Sequence, residues 1–173
     1  MRESDALENN PHVSRTALEA LHSQLYGWAL SRCDFDHATA EDLMQQTYVE
    51  LLSGNARFDK QSSLKTFVFS VVQNLARSRY RRLSTRLRLI RTYEQDAAGD
   101  QVTPEATAED SGVWRTVKAL PARQRDIIEL VFCRDLTVEQ ASAVMGVSVG
   151  TGRQHYARAK KALRDRLQEL VEE

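Results

Sequence analysis

Residues 120–163, LPARQRDIIELVFCRDLTVEQASAVMGVSVGTGRQHYARAKKAL, read as three helices separated by two short breaks. Pro121 opens the first, because proline suits a first helical turn. Ile127, Ile128, Val131 and Phe132 form the apolar stripe of that helix. The second runs from Thr137 to about Met145. Thr137 and Gln140 stand at capping-box spacing, where each side chain can satisfy the other's exposed backbone N–H. Val138, Ala141, Val144 and Met145 then repeat at helical spacing. Gly146 accepts the left-handed conformation that a helix C-cap needs, and Ser148 is placed to cap the third helix. Two helices joined by a short glycine turn make a helix-turn-helix.

The third helix carries the chemistry. Val149, Gly152, Tyr156, Ala159 and Leu163 fall at spacings of three and four and form one inward stripe. Thr151, Gln154, His155 and Arg158 point the other way. In a helix-turn-helix the N-terminal part of the second helix enters the major groove. Arginine pairs with guanine edges and glutamine with adenine, while threonine serves either a base or a phosphate. Arg153, Lys160, Lys161 and Arg164 supply phosphate contacts, which position without specifying. A solvated face of a small bundle is the competing reading. The caps, the glycine turn and the basic last helix agree on DNA.

The chain has 173 residues, the size of one domain or two small ones, with 42% hydrophobic residues. Sparse glycine and proline and no β-type alternation predict an all-α protein. A formal net charge of zero hides strong segregation. Between Arg77 and Arg91 there are seven arginines and no acid; between Thr92 and Gly112 there are six acids and no base. The two cysteines, Cys33 and Cys133, are far apart and outside any CxxC, which fits reduced, buried thiols in a cytosolic protein rather than a disulfide framework. The four histidines have no metal-ligand spacing, so no metal or other cofactor is expected. No stretch approaches a membrane span, so no membrane insertion is expected. The first residues, MRESDALENNPHVS, contain no hydrophobic signal segment and read as a polar, loosely ordered tail over 1–14.

Taken in order, Thr16 to Ser31 is a first helix buried through Leu18, Leu21, Leu25 and Ala29. The second runs from Thr39 to Ser53, with Leu43, Tyr48, Leu51 and Leu52 as its core side. Asp42, Gln45 and Gln46 share its polar face. After a loop over 54–62, SSLKTFVFSVVQNLARSRYRR (62–82) is a third helix, with Leu64, Phe67, Val68, Val71 and Leu75 as its apolar stripe and 83–91 as its extension. Asn74, Arg77, Ser78 and Arg81 recur at i, i+3, i+4 and i+7 and line one polar stripe suited to base edges and phosphates. Phe69 and Tyr80 are candidates for stacking on exposed bases, against a core role. An acidic stretch comes next, and a short helix over 113–120 leads into the helix-turn-helix.

Together the halves closely resemble the extracytoplasmic-function (ECF) group of bacterial RNA polymerase sigma factors, over about residues 16–165. AEDLMQQTYVELL is similar to the family's polymerase-docking helix. Asp42 and Gln45 match its pattern, and Gln46 replaces a usual glutamate. SLKTFVFSVVQNLARSRYRR is similar to its promoter-melting and −10-recognition helix: Asn74 stands at the characteristic asparagine and Arg81 and Arg82 at the basic pair. Phe67 replaces a usual tryptophan, and Ser78 a usual aspartate. LPARQRDIIEL and VEQASAVMGVSVGTGRQHYARAKKAL resemble the −35-recognition domain. Gly152 replaces a usual valine there. Glycine inside a helix costs about 1 kcal/mol relative to alanine, so this departure either softens the helix or permits a close approach.

The resemblance implies an initiation factor without enzymatic activity, located in the cytoplasm. Its partners would be core RNA polymerase, promoter DNA and an anti-sigma factor. It implies polymerase binding by Asp42, Gln45 and Gln46, −10 recognition by Asn74, Arg77, Ser78, Arg81 and Arg82, and −35 recognition by Thr151, Arg153, Gln154, His155 and Arg158. The expected layout is the tail 1–14, a region 2-like domain 15–90, a flexible acidic linker 91–112 and a region 4-like helix-turn-helix domain 113–173. The competing function is a stand-alone helix-turn-helix regulator that binds duplex DNA as a dimer.

Overall fold

The computed structural model describes residues 5–93 and 112–172. Most of the acidic stretch expected as a linker over 91–112 lies outside the described residues; its first three residues end one helix and Gly112 begins the next. The described residues fall into two compact units: one is built mainly from the chain up to Arg82, the other mainly from the helices after Gly112.

The N-terminal unit packs three helices, α1 (Arg15–Arg32), α2 (His37–Ser53) and α3 (Leu64–Tyr93), the last as far as Arg82. Each start is written in the sequence by a capping side chain. Ser14 Oγ accepts from Ala17 N at 3.0 Å, Asp36 Oδ2 from Thr39 N at 3.0 Å, and Ser63 Oγ from Thr66 N at 3.1 Å. The Asp36 cap starts α2 two residues before the Thr39 expected from the sequence. The core comes from Leu18, Leu25, Trp28 and Ala29 of α1, Ala40, Leu43, Met44 and Leu51 of α2, and Val68, Phe69, Val71 and Val72 of α3. Trp28 and Phe69 lie with ring centroids 6.3 Å apart. Phe69 is fully buried, so it is a core residue and not a platform for bases; Tyr80 is exposed. Leu52, expected in the core, is half exposed, since α2 buries Leu43, Met44, Thr47 and Leu51 instead.

The polar tail expected over 1–14 is corrected by the structure over residues 5–14. Ala6–Leu7 (β1) and Asn10–Ser14 (β2) form a small antiparallel hairpin. Leu7, Asn10 and Val13 are buried. Asn10 Nδ2 donates to Leu51 O (3.3 Å) and Ala56 O (2.8 Å), while its Oδ1 accepts from Phe58 N (3.1 Å). One amide thus satisfies backbone groups where α2 ends and the next loop begins. Gly54 closes α2 at φ 78°, and a Cβ there would stand 2.8 Å from Asn9 O. The segment's polarity misleads because its polar side chains serve backbone instead of water.

The second unit contains α4 (Gly112–Lys118), α5 (Ala122–Ile128), a π-helical turn (Glu129–Cys133), α6 (Val138–Met145) and α7 (Val149–Glu172). Pro121 is the N-cap of α5, one position before the first turn where it was expected. Arg134 N donates to Glu129 O at 3.1 Å, the i→i+5 spacing of a π turn. Such a turn rotates less per residue than an α-helix, so a 3.6-residue count misplaces the side chains within and beyond it. Phe132, expected in the stripe, is 61% exposed, and Leu130, absent from that stripe, is fully buried. Leu120, Ile128 and Ala159 form a core with Tyr156, Ala162 and Leu163 packed on it. Val149, expected to point inward, is 38% exposed.

Candidate nucleic-acid interface

The helix-turn-helix is built as its spacing predicts. Gln140 N donates to Thr137 Oγ1 (3.1 Å) and Thr137 N to Gln140 Oε1 (3.0 Å), a reciprocal capping box. Gly146 has φ 67°, which favours glycine. Ser148 Oγ accepts from Thr151 N at 3.1 Å and starts α7. Gly152 is buried against α6 in the position the inward stripe requires. An added Cβ would lie 1.8 Å from Ser142 Oγ and 2.9 Å from Ser142 Cβ. The departure from valine therefore serves close approach of α6 and α7.

On the opposite face of α7, Thr151, Gln154 and Arg158 are exposed and His155 is half-buried. Thr151 Oγ1 hydrogen-bonds Ser148 Oγ at 2.9 Å, which ties it to the cap. Arg153 is exposed but committed: its Nη2 donates to Glu139 Oε1 at 2.8 Å. That bond holds the Glu139 carboxyl below the ordinary carboxylate range. Lys160 lies over the Tyr156 ring, 4.6 Å from its centroid, and so also packs against its own helix. Glu139 was missed in the sequence because its partner is fourteen residues away in a different helix.

In the N-terminal unit, Asp42, Gln45 and Gln46 are exposed along one face of α2, and Gln46 Nε2 donates to Glu50 Oε1 at 2.6 Å. Asn74, Arg81 and Arg82 are exposed on α3; Arg77 and Ser78 are half-buried. Between the two helices lies an open groove of about 500 Å³, lined among others by Asp42, Gln45, Gln46, Ser78, Arg79 and Arg82. All three α2 candidates and two α3 candidates thus share one groove. Asn74, Arg77 and Arg81 are not among its lining residues. Arg79 was not singled out in the sequence. It meets Asp42 at 3.7 Å, a solvent-exposed contact that sets side-chain direction more than stability.

Outside these faces, His22 and Tyr48 share a hydrogen bond of 2.7 Å, and Tyr26 and His37 one of 2.8 Å. The thiols are expected to be buried, but Cys33 is half-buried and Cys133 exposed; partial desolvation raises both above the ordinary range. Among the described residues there is no cluster able to hold a metal ion, and no helix long and apolar enough to cross a membrane.

Two family descriptions match the chain in the order of its two units: Sigma-70 region 2 over residues 17–86 and Sigma-70, region 4 over residues 112–163. The ECF RNA polymerase sigma factor EcfG of Rhodopseudomonas palustris is 30% identical over 131 residues, covering 72% of this chain and 68% of the relative. SigC of Mycobacterium tuberculosis is 30% identical over 129 residues, with 74% and 70% covered. SigX of Bacillus subtilis is 26% identical over 163 residues, with 90% and 84% covered. The fold is similar to that of the sigma factor RpoE of Bartonella quintana, solved with the anti-sigma factor NepR, at a TM-score of 0.68 and 23% identity over 89% of this chain and 96% of that one. CnrH, solved with the cytosolic domain of CnrY, gives a TM-score of 0.59 at 22% identity over 89% and 86%. The chain belongs to the ECF group of RNA polymerase sigma factors.

Proposed function

We propose that this initiation factor divides its work between its two halves. Residues 15–90 dock on core RNA polymerase and open the −10 element, and residues 113–173 read the −35 element as duplex. A linker over 91–112 joins them. Asp42, Gln45 and Gln46 make the polymerase contact. Asn74, Arg77, Ser78, Arg81 and Arg82 meet the −10 DNA. Thr151, Gln154, His155 and Arg158 face the −35 major groove, and Arg153 reaches it from its pair with Glu139. The chain itself catalyses no reaction; the polymerase supplies the chemistry. The working location is the cytoplasm, where polymerase and promoter are. Its partners are core polymerase, promoter DNA and an anti-sigma factor, the kind of protein with which RpoE of Bartonella quintana was solved.

The observation that carries this reading is the ordered presence of both parts. The exposed row Thr151, Gln154 and Arg158 stands on a capped, glycine-turned helix, and Ser78 and Arg82 of α3 share a groove with Asp42, Gln45 and Gln46 of α2. A stand-alone dimeric regulator needs only the first. The test is to mix the purified chain with bacterial core polymerase, then measure co-elution on sizing and promoter-dependent run-off transcription. Co-elution with initiation supports the reading. Tight duplex binding by the chain alone, with no binding to core, would establish the regulator instead.

A further inference from the structure

The start of α7 carries residues proposed to read the −35 element, yet its sequence makes a poor helix by itself. Gly150 and Gly152 both fall within VGTGRQ (149–154), and glycine is the weakest helix former apart from proline. Where this turn sits is therefore set by what holds it. Ser148 Oγ accepts from Thr151 N at 3.1 Å, a tie within the turn. Gly152 lets the backbone close on Ser142 of α6, but a glycine has no side chain to resist sliding. A polar tie between the two helices comes from Arg153, whose Nη2 donates to Glu139 Oε1 at 2.8 Å.

Glu139 is not a loose partner. It stands in the first turn of α6, where the helix dipole favours a carboxylate. The Thr137 hydroxyl and the backbone N–H of Glu139 also bond this carboxylate, and Thr137 is itself held in the capping box with Gln140. The acid is thus anchored on α6 from its own side. Both side chains of the pair are exposed, so the pair adds little to stability; its consequence is the direction of a side chain. A guanidinium carries five N–H donors in one rigid plane, and fixing one of them on Glu139 orients the rest. We propose that Glu139 is a positioning residue for −35 recognition: it holds the Arg153 guanidinium toward a backbone phosphate of the −35 duplex and, through Arg153, fixes the turn that presents Thr151 and Gln154. Phosphate suits the remaining donors because it accepts parallel N–H bonds, and phosphate contacts set register on the duplex. This role rests on the assignment of α7 to the −35 element, which does not include Glu139.

The test uses the full-length chain assembled with core polymerase and a fluorescein-labelled promoter duplex, with binding read by anisotropy over a range of salt. Glu139→Ala should weaken binding about threefold to tenfold. Glu139→Gln, whose amide oxygen still accepts from Arg153, should recover most of that loss. Arg153→Ala should weaken binding and reduce the salt slope by about one. Adding Glu139→Ala to Arg153→Ala should cost nothing further, since Glu139 acts through Arg153. Both Glu139 variants should keep the wild-type helical circular dichroism, because the pair is solvent-exposed. Arg158→Ala in the same assay reports on the assignment of α7: binding as tight as wild type would sink that assignment. A loss with Arg158→Ala and none with Glu139→Ala would sink the positioning role alone. Two further results would overturn it: Glu139→Gln as weak as Glu139→Ala, or losses from Glu139→Ala and Arg153→Ala that add in the double variant. Tighter binding by Glu139→Ala would overturn it as well and show that Glu139 withholds Arg153 from DNA.

Discussion

Gly152→Ala sets two physical expectations of opposite sign against each other. By helix propensity alone, alanine in place of an interior helical glycine should stabilise by about 1 kcal/mol. The structure predicts the reverse. The new Cβ would stand 1.8 Å from Ser142 Oγ and 2.9 Å from Ser142 Cβ, with Ile127 Cδ1 at 3.5 Å. Rotating Ser142 away breaks its 2.6 Å hydrogen bond to Val138 O, a loss of about 1 kcal/mol. The Cβ–Cβ approach persists after that rotation, and overpacking of this kind costs about 1–3 kcal/mol. After the propensity gain, the net is a destabilisation of about 1–3 kcal/mol. Hydrogen exchange of α7 amides as a function of urea reads this unit by itself. Ser142→Gly added to Gly152→Ala removes both clashing atoms and should recover most of the loss in protection. A more stable Gly152→Ala variant would refute the reasoning and make Gly152 a softening residue instead.

Asn10→Ala removes three hydrogen bonds to backbone groups at 51, 56 and 58, those at 51 and 58 buried; the N-terminal unit should lose about 2–4 kcal/mol in urea unfolding. Glu139 titrates below the ordinary carboxylate range. A depressed carboxyl stabilises fully above the unfolded value and loses that contribution as pH falls through the folded one, so the Glu139–Arg153 pair should persist at neutral pH and fail only in acid. Arg153→Ala should return the Glu139 resonance, monitored by NMR titration, toward the ordinary range. Cys33 and Cys133 have raised pKa values, hence little thiolate at neutral pH; both should react more slowly with Ellman's reagent than a free cysteine peptide does.

The C-terminal half was legible because its signals are local. Thr137 and Gln140, Gly146, and Ser148 each act within three or four residues, and the capping bonds are where their spacing puts them. The same holds for the inward stripe through Gly152 and Ala159. What escaped depends on residues far apart in the chain. Asn10 reads as one more polar residue until Leu51, Ala56 and Phe58 are beside it. Glu139 reads as solvated until Arg153 meets it. Phe132 and Leu130 exchanged places because the π turn breaks the period on which the stripe was counted.

The division of labour between the two halves is tested most directly by selection from a promoter library randomised at both elements, transcribed by core polymerase with the wild-type chain and with Arg158→Ala. The account predicts that Arg158→Ala relaxes preference at one or two −35 positions, by about 1–3 kcal/mol each, while −10 preferences and co-elution with core stay as in the wild type. A change confined to the −10 element, or unchanged −35 preferences, would contradict it.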